Sequence, residues 1–121
     1  MNFIKLALMG LALGSTVSIA GECLGPDQPD VPDGDTSSME QMLAGQKAVK
    51  EFQAANIAYM ECLDPKISAA NAAATAESAS DEAKTALRQL EEEYNAAVSR
   101  EEEAAAQFNT EIRKYKMANP G

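Results

Sequence analysis

The chain has 121 residues, which limits it to one domain, and 10 Lys and Arg against 19 Asp and Glu give a formal net charge of -9. A negative charge of this size repels nucleic acid and anionic membrane surfaces, so we expect no nucleic-acid partner. The sequence contains no His. This excludes Ser-His and Cys-His catalytic couples and the Glu-x-x-His pairs of di-iron bundles.

The first 20 residues have the order of a cleavable secretory signal peptide. Lys5 gives a short positive leader, and an apolar run follows over residues 6–13. Ser18 and Ala20 place small side chains before Gly21, so we predict cleavage after Ala20. The apolar run is shorter than the roughly 20 residues that a membrane anchor needs. We therefore expect a periplasmic or secreted protein with no stable membrane insertion after cleavage, and the choice between these two locations stays open.

The sequence contains two cysteines, Cys23 and Cys62, and export places both in an oxidising compartment. In an oxidising compartment one intramolecular disulfide is the simplest pairing, while an intermolecular bridge and two free thiols are the alternatives. Lipid attachment at Cys23 is disfavoured, because Glu22 stands where lipoprotein processing requires a small residue. Two cysteines without histidine do not complete a zinc shell, so we predict no metal site here.

Residues 21–36 form a proline-rich arm. Three prolines recur every third residue, which is the period of a polyproline II helix: Pro26, Pro29 and Pro32. Asp33 and Gly34 then predict a turn. The extended arm matches in length the helical stretch that ends at Cys62, so we predict that it folds back antiparallel along the first helix, with the disulfide at its far end. Its prolines are expected to lie against Ala48, Phe52, Ala55 and Tyr59. A disordered linker is the alternative.

The first helix is predicted to begin at a capping box of Ser37 and Glu40. Its apolar stripe consists of Met42, Val49, Phe52, Tyr59 and Leu63. Pro65 either kinks this helix or ends it, and the sequence leaves this open. An alanine-rich stretch follows at 67–76, and a turn is predicted near 77–80.

The second helix is predicted to begin after an N-cap at Ser80, followed by Asp81, and to end near Met117. Its apolar stripe consists of Leu87, Leu90, Tyr94, Val98, Ala105, Phe108, Ile112 and Tyr115. Folding back at the turn is expected to pair Val49 with Phe108, Tyr94 with Leu63, Val98 with Tyr59, Ala105 with Phe52, and Ile112 with Gly45. We therefore predict an all-α antiparallel helical hairpin over 37–118, clasped to a polyproline II arm by one disulfide.

Two acidic runs, Glu91–Glu93 and Glu101–Glu103, are the most prominent titratable groups. Three consecutive helical positions spread over about 200° of the surface and do not converge on one point. We interpret the runs as a solvated face that Arg88 and Arg100 partly neutralise. We therefore predict no catalytic residue, no metal site and no cofactor.

The arm and first helix resemble a group of small exported proteobacterial proteins of unknown function. The residues that carry the resemblance are Cys23, Pro26, Pro29, Val31-Pro32-Asp33-Gly34, Met39, Gln46, Val49-Lys50, Phe52, Tyr59 and Cys62-Leu63, with Tyr94-Asn95-Ala96-Ala97-Val98 and Phe108-Asn109 in the second helix. The resemblance implies a location in the bacterial envelope and no particular activity.

These observations predict a non-catalytic secreted or periplasmic module with an interaction or structural role in the cell envelope. Its expected partner is an envelope protein that the sequence does not identify. A periplasmic holdase-type chaperone is the alternative hypothesis, and a metal-binding protein or an enzyme is the third. The oligomeric state stays open.

Overall fold

The computed structural model describes residues 22–121. The predicted signal peptide and the cleavage after Ala20 lie outside the described residues. The described chain contains the α-helices α1 (Met39–Thr75) and α2 (Asp81–Ala118), which pack against each other. The predicted all-α helical hairpin is confirmed, and 76–80 form its turn.

The start of α1 differs from the expectation by one residue. The cap is Ser38, whose side chain accepts a hydrogen bond from the Gln41 amide at 3.2 Å, while Gln41 Oε1 accepts one from the Ser38 amide at 2.8 Å. The predicted capping box of Ser37 and Glu40 is therefore wrong. The reason lies in the preceding turn, because the Ser37 amide already donates to the Asp33 carbonyl at 2.9 Å. Capping boxes of this kind satisfy amides that the first helical turn leaves unpaired.

Pro65 lies inside α1, which runs through it without a break. Of the two alternatives that the sequence leaves open, the one in which this proline ends the helix is thus excluded. A proline removes one hydrogen bond of the helical ladder, so packing on both sides must hold the segment helical. Leu63 and Ile67 supply this packing, since both belong to one hydrophobic cluster with α2.

The buried residues of α1 follow a heptad pattern, with alternating steps of three and four. They are Met42, Gly45, Val49, Phe52, Asn56, Tyr59 and Leu63. In α2 the buried residues are Ala97, Ala104 and Phe108. This spacing is that of helices packed knobs-into-holes, in which one narrow stripe of each helix faces the other.

The most buried positions of α2 differ from the expected stripe. Ala97 and Ala104 are fully buried, whereas Val98 and Ala105, which were expected to face inward, are only half-buried. Phe108 lies beside Gly45. The physical reason is volume: alanine lets α2 approach the large side chains of Tyr59 and Leu63, and Gly45 leaves room for the Phe108 ring. The expected neighbours Val49 and Phe108 share one cluster, and Leu63 and Tyr94 share the other.

The Asp33–Gly34 turn is confirmed, and Gly34 is buried in it. A Cβ on Gly34 would collide with the Glu111 carbonyl oxygen and lie 2.8 Å from the Tyr115 amide nitrogen. Both atoms belong to the backbone of α2 and cannot rotate away. Glycine is required here because the turn touches the helix.

Gly34→Ala is expected to lower the free energy of unfolding by about 2 kcal/mol, because the turn must lift away from α2. Gly25→Ala is the matched control, since its Cβ would meet only side-chain atoms of Arg100 and Tyr59 at 3.3–3.4 Å. Urea denaturation followed by circular dichroism measures both variants. Equal losses in the two variants would contradict the proposed contact.

Candidate functional site

A hairpin of two helices has two long grooves, one on each side of the helix interface, and the proline arm lies in one of them. Pro32 lies against Gly45, where a Cβ on the glycine would come within 2.5 Å of Pro32 Cδ. Gly25 lies against Tyr59, and the Gln28 side chain donates a hydrogen bond to the Arg100 carbonyl at 3.2 Å. Arm residue numbers thus fall as α1 residue numbers rise. We call this side the covered groove.

The disulfide fastens the far end of the arm. Cys23 and Cys62 are bonded, with their Cα atoms 5.7 Å apart, so the predicted intramolecular pairing is confirmed. Cys23 packs against the cluster of Tyr59, Leu63 and Ala97. At the near end, Val31 packs against the second cluster, which contains Met42, Val49 and Phe108. The arm is therefore fixed to both halves of the core.

One polar side chain lies at the centre of the helix interface. Asn56 is completely buried, and its Nδ2 donates a hydrogen bond to the Ala97 carbonyl at 2.9 Å. Its Oδ1 has no hydrogen-bond partner among the described residues, and neither has the buried Nε of Arg100. A buried asparagine at a heptad position costs stability and favours one register of the helices over others.

We expect Asn56→Leu to raise the free energy of unfolding by about 1 kcal/mol, because it removes a buried oxygen that lacks a partner. The helices of this variant are also expected to pair in more than one register, because the buried asparagine no longer favours a single one. Amide hydrogen exchange of α2 and thermal denaturation measure the two effects. A less stable variant with unchanged exchange protection would contradict both expectations.

The second groove lies on the opposite side of the interface, and the arm does not enter it. We call it the open groove. Near the free ends of the helices it forms a depression of about 350 Å³. The lining residues include Met39, Leu43, Gln46, Ile112, Tyr115 and Lys116.

A second depression of similar size lies on the same side nearer the turn. It is lined by Asp64, Ile67, Glu91, Tyr94 and Asn95. Each of these residues is 21 positions from one lining residue of the first depression, for example Asp64 from Leu43 and Tyr94 from Tyr115. Because 21 positions are three heptads, both depressions lie on one face of the hairpin, about 30 Å apart.

The open groove exposes apolar side chains that a two-helix core leaves uncovered. Met39 and Leu43 are each 57% exposed, and Ile57, two heptads beyond Leu43, is 46% exposed. Exposed apolar residues that follow one face at heptad spacing indicate a contact surface rather than isolated surface residues. The apolar stripe that the sequence predicts for α1 does not include this surface, because Leu43 and Ile57 lie between the residues of the stripe.

Charged side chains of both signs lie along the open groove. Lys116 lines the depression at the free ends, and Lys50 follows Leu43 by one heptad. Asp64 and Glu91 line the depression near the turn. Glu101 and Glu102 lie one heptad beyond Tyr94 and Asn95, so the groove has no single polarity along its length.

The two acidic runs lie along α2, and all of their members except Glu101 are exposed. Within residues 22–121 the ion pairs are Lys47–Glu51 and Lys114–Glu111, so neither run pairs with Arg88 or Arg100. Arg100 instead directs its guanidinium towards Gly25 and Tyr59, beneath the arm.

The described residues contain no cluster of three or more potential metal ligands. Near the Gly34 turn, a hydrogen bond of 3.0 Å to the Glu111 carboxylate raises the pKa of Lys114 above its usual value. This lysine is charged at neutral pH. Neither helix of the described part is long and apolar enough to cross a membrane.

The fold and these surfaces define the chain as an all-α helical hairpin clasped by one disulfide, with one groove filled by its own arm. The chain matches no family model, no curated protein and no solved structure. Its function must therefore be argued from the geometry of its surfaces.

Proposed function

We propose that this chain is a non-catalytic interaction or structural module of the bacterial cell envelope, exported to the periplasm or beyond. The arm takes the polyproline II form and holds the hairpin as one rigid unit. The outer face of α2 docks a cationic surface of another envelope protein. The resemblance to small exported proteobacterial proteins is part of this proposal.

The observation that carries the proposal is the unpaired acidic face of α2. Glu92, Glu102 and Glu103 are exposed, and none forms an ion pair within the described residues. Complementary charge speeds association and selects among partners more than it adds affinity. The exposed disulfide residue Cys62 agrees with an oxidising compartment, where such bonds persist.

Site-specific photo-crosslinking in living cells tests this proposal. A crosslinker placed at Glu103 is expected to capture one discrete protein, and Glu92→Lys with Glu102→Lys is expected to abolish that adduct. The same crosslinker at Ala58, an exposed residue on the outer side of α1, is the control. Capture that survives charge reversal, or equal capture from both positions, would contradict docking through this face.

A holdase-type chaperone is the second candidate, and the exposed apolar side chains of the open groove favour it. Unfolded clients bind to exposed apolar surface. The chain is then expected to suppress aggregation of a reduced client protein, and Ile57→Glu is expected to weaken that suppression. No suppression at stoichiometric excess would refute this role.

A further inference from the structure

We propose that the Cys23–Cys62 bond is a redox latch on the arm. Its reduction frees the far half of the arm, residues 22–30, while the near half, residues 31–36, and the helical hairpin stay folded. The covered groove then opens beside Tyr59, over which the far half lies. The latch involves neither the acidic face of α2 nor the open groove, so it stands apart from the functions proposed above.

The near half of the arm is anchored without the disulfide. Its turn is closed by the Asp33 carbonyl, which accepts a hydrogen bond from the Ser37 amide at 2.9 Å. Gly34 is buried against the backbone of α2, and Val31 packs against the cluster that contains Phe108. Neither cysteine takes part in these contacts, so breaking the bond leaves them in place.

The far half of the arm has few contacts of its own. Six of its nine residues are exposed, and the three half-buried ones are Cys23, Pro26 and Pro29. Within residues 22–121, the hydrogen bond that joins it to the helices runs from the exposed Gln28 side chain to the Arg100 carbonyl at 3.2 Å. An exposed hydrogen bond adds little stability, because water replaces either partner. The disulfide is therefore the main restraint on this half.

One buried group favours release of the far half. The guanidinium of Arg100 lies beneath Gly25, where a Cβ on the glycine would come within 3.3 Å of Nη2. The Nε atom of Arg100 is buried and has no hydrogen-bond partner among the described residues. A donor that is buried without a partner loses the hydrogen bond that it would make with water. Lifting the arm hydrates this nitrogen, so this part of the packing opposes closure once the bond is broken.

The position of the bond allows a reductant to reach it in the folded protein. Cys62 is exposed, whereas Cys23 is half-buried against the cluster of Tyr59 and Leu63. Exposed disulfides are more labile than buried structural ones and include the regulatory ones. We therefore expect a reductant of the protein-dithiol class to attack the sulfur of Cys62.

The exchange proceeds in two steps. A thiolate of the reductant bonds to Cys62 Sγ and forms a mixed disulfide, while the electron pair of the broken bond leaves on Cys23 Sγ, which takes up a proton. The second thiolate of the reductant then closes its own disulfide and releases Cys62 as a thiolate, which is protonated in turn. The dithiol is oxidised, and this chain gains two electrons and two protons.

Reduction changes the surface that the covered groove presents. With the arm in place, Tyr59 is only 9% exposed. Release of the far half uncovers its ring together with the guanidinium of Arg100. The two side chains belong to α1 and α2, which stay packed, so the reduced chain presents an aromatic and cationic surface that the oxidised chain keeps covered.

Backbone 15N relaxation of the full exported chain tests the latch. In the oxidised protein, the order parameters of residues 22–30 are expected to lie near about 0.85, and reduction by a dithiol is expected to lower them below about 0.6. Those of Gly34 and of both helices should not change, and reoxidation should restore the arm. A far half that stays rigid after reduction, or helices that lose order together with it, would overturn the proposal.

The rate of reduction distinguishes a latch from a purely structural bond. Phe108→Ala removes a buried side chain in the core cluster that does not contact the cysteines. If reduction required global unfolding, this variant would be reduced more than about a hundredfold faster than the wild type. For a latch, we expect the two rates to agree within about twofold. A second measurement uses the wild-type chain in urea below its unfolding transition, where the rate should stay the same. Rates that follow global stability in either measurement would refute the latch.

Discussion

Replacing both Cys23 and Cys62 with serine is expected to lower the free energy of unfolding by about 4 kcal/mol. The bond joins residues 39 positions apart. Closing a loop of this length lowers the conformational entropy of the unfolded chain, which stabilises the folded state relative to it. The bond also keeps the far half of the arm over Tyr59 and Leu63. Urea denaturation of the oxidised and the serine-substituted protein measures the difference.

Reduction of the wild-type protein by a dithiol is the matched control, because it breaks the same bond without changing any other atom of the fold. It is expected to give the same loss of stability and, in amide exchange, to release residues 22–30 before the Gly34 turn. The near end of the arm has its own contacts with α1 and α2. A loss below about 1 kcal/mol would show that the arm is held mainly by packing.

Leu63→Ala is expected to lower the free energy of unfolding by about 3 kcal/mol. Leu63 is 1% exposed and packs with Tyr59 and Ala97. Truncation removes buried apolar surface and leaves a cavity, because the fully buried Ala97 on α2 is too small to fill it. Its position two residues before Pro65 adds a second effect, since helix packing there compensates for the missing backbone hydrogen bond.

Leu24→Ala is the matched control for this substitution, as Leu24 is 83% exposed and the same atoms are removed. Its effect is expected to stay within about 0.5 kcal/mol. Thermal and urea denaturation of both variants give the comparison. Similar losses from the two variants would mean that the cluster around Leu63 is less tightly packed than its burial indicates.

Much of the fold could be predicted because it depends on local chemistry. Ser80 caps α2 as expected, with its side chain accepting from the Ala83 amide at 3.1 Å. The Asp33–Gly34 turn and the pairing of Cys23 with Cys62 were also predicted correctly. Each of these features depends on a few neighbouring residues or on simple chain length.

The open groove could not be predicted in the same way. The sequence stripe of α2 included Val98 and Ala105, because larger or central apolar residues are the usual core positions. The structure buries Ala97 and Ala104 instead. Which alanine faces inward depends on how closely the helices approach, and this distance is a property of the packed pair.

By itself, the sequence determined the helical hairpin, the N-cap of α2 at Ser80 and the disulfide that joins the arm to α1. Those features follow from residue chemistry within one turn or from the number of residues between two cysteines. The tertiary structure alone decided that the arm fills one groove, that Asn56 is buried at the interface and that Leu43 and Ile57 stay exposed. The physical reason is that a two-helix core is too small to cover both of its sides, and only packing decides which side is left open.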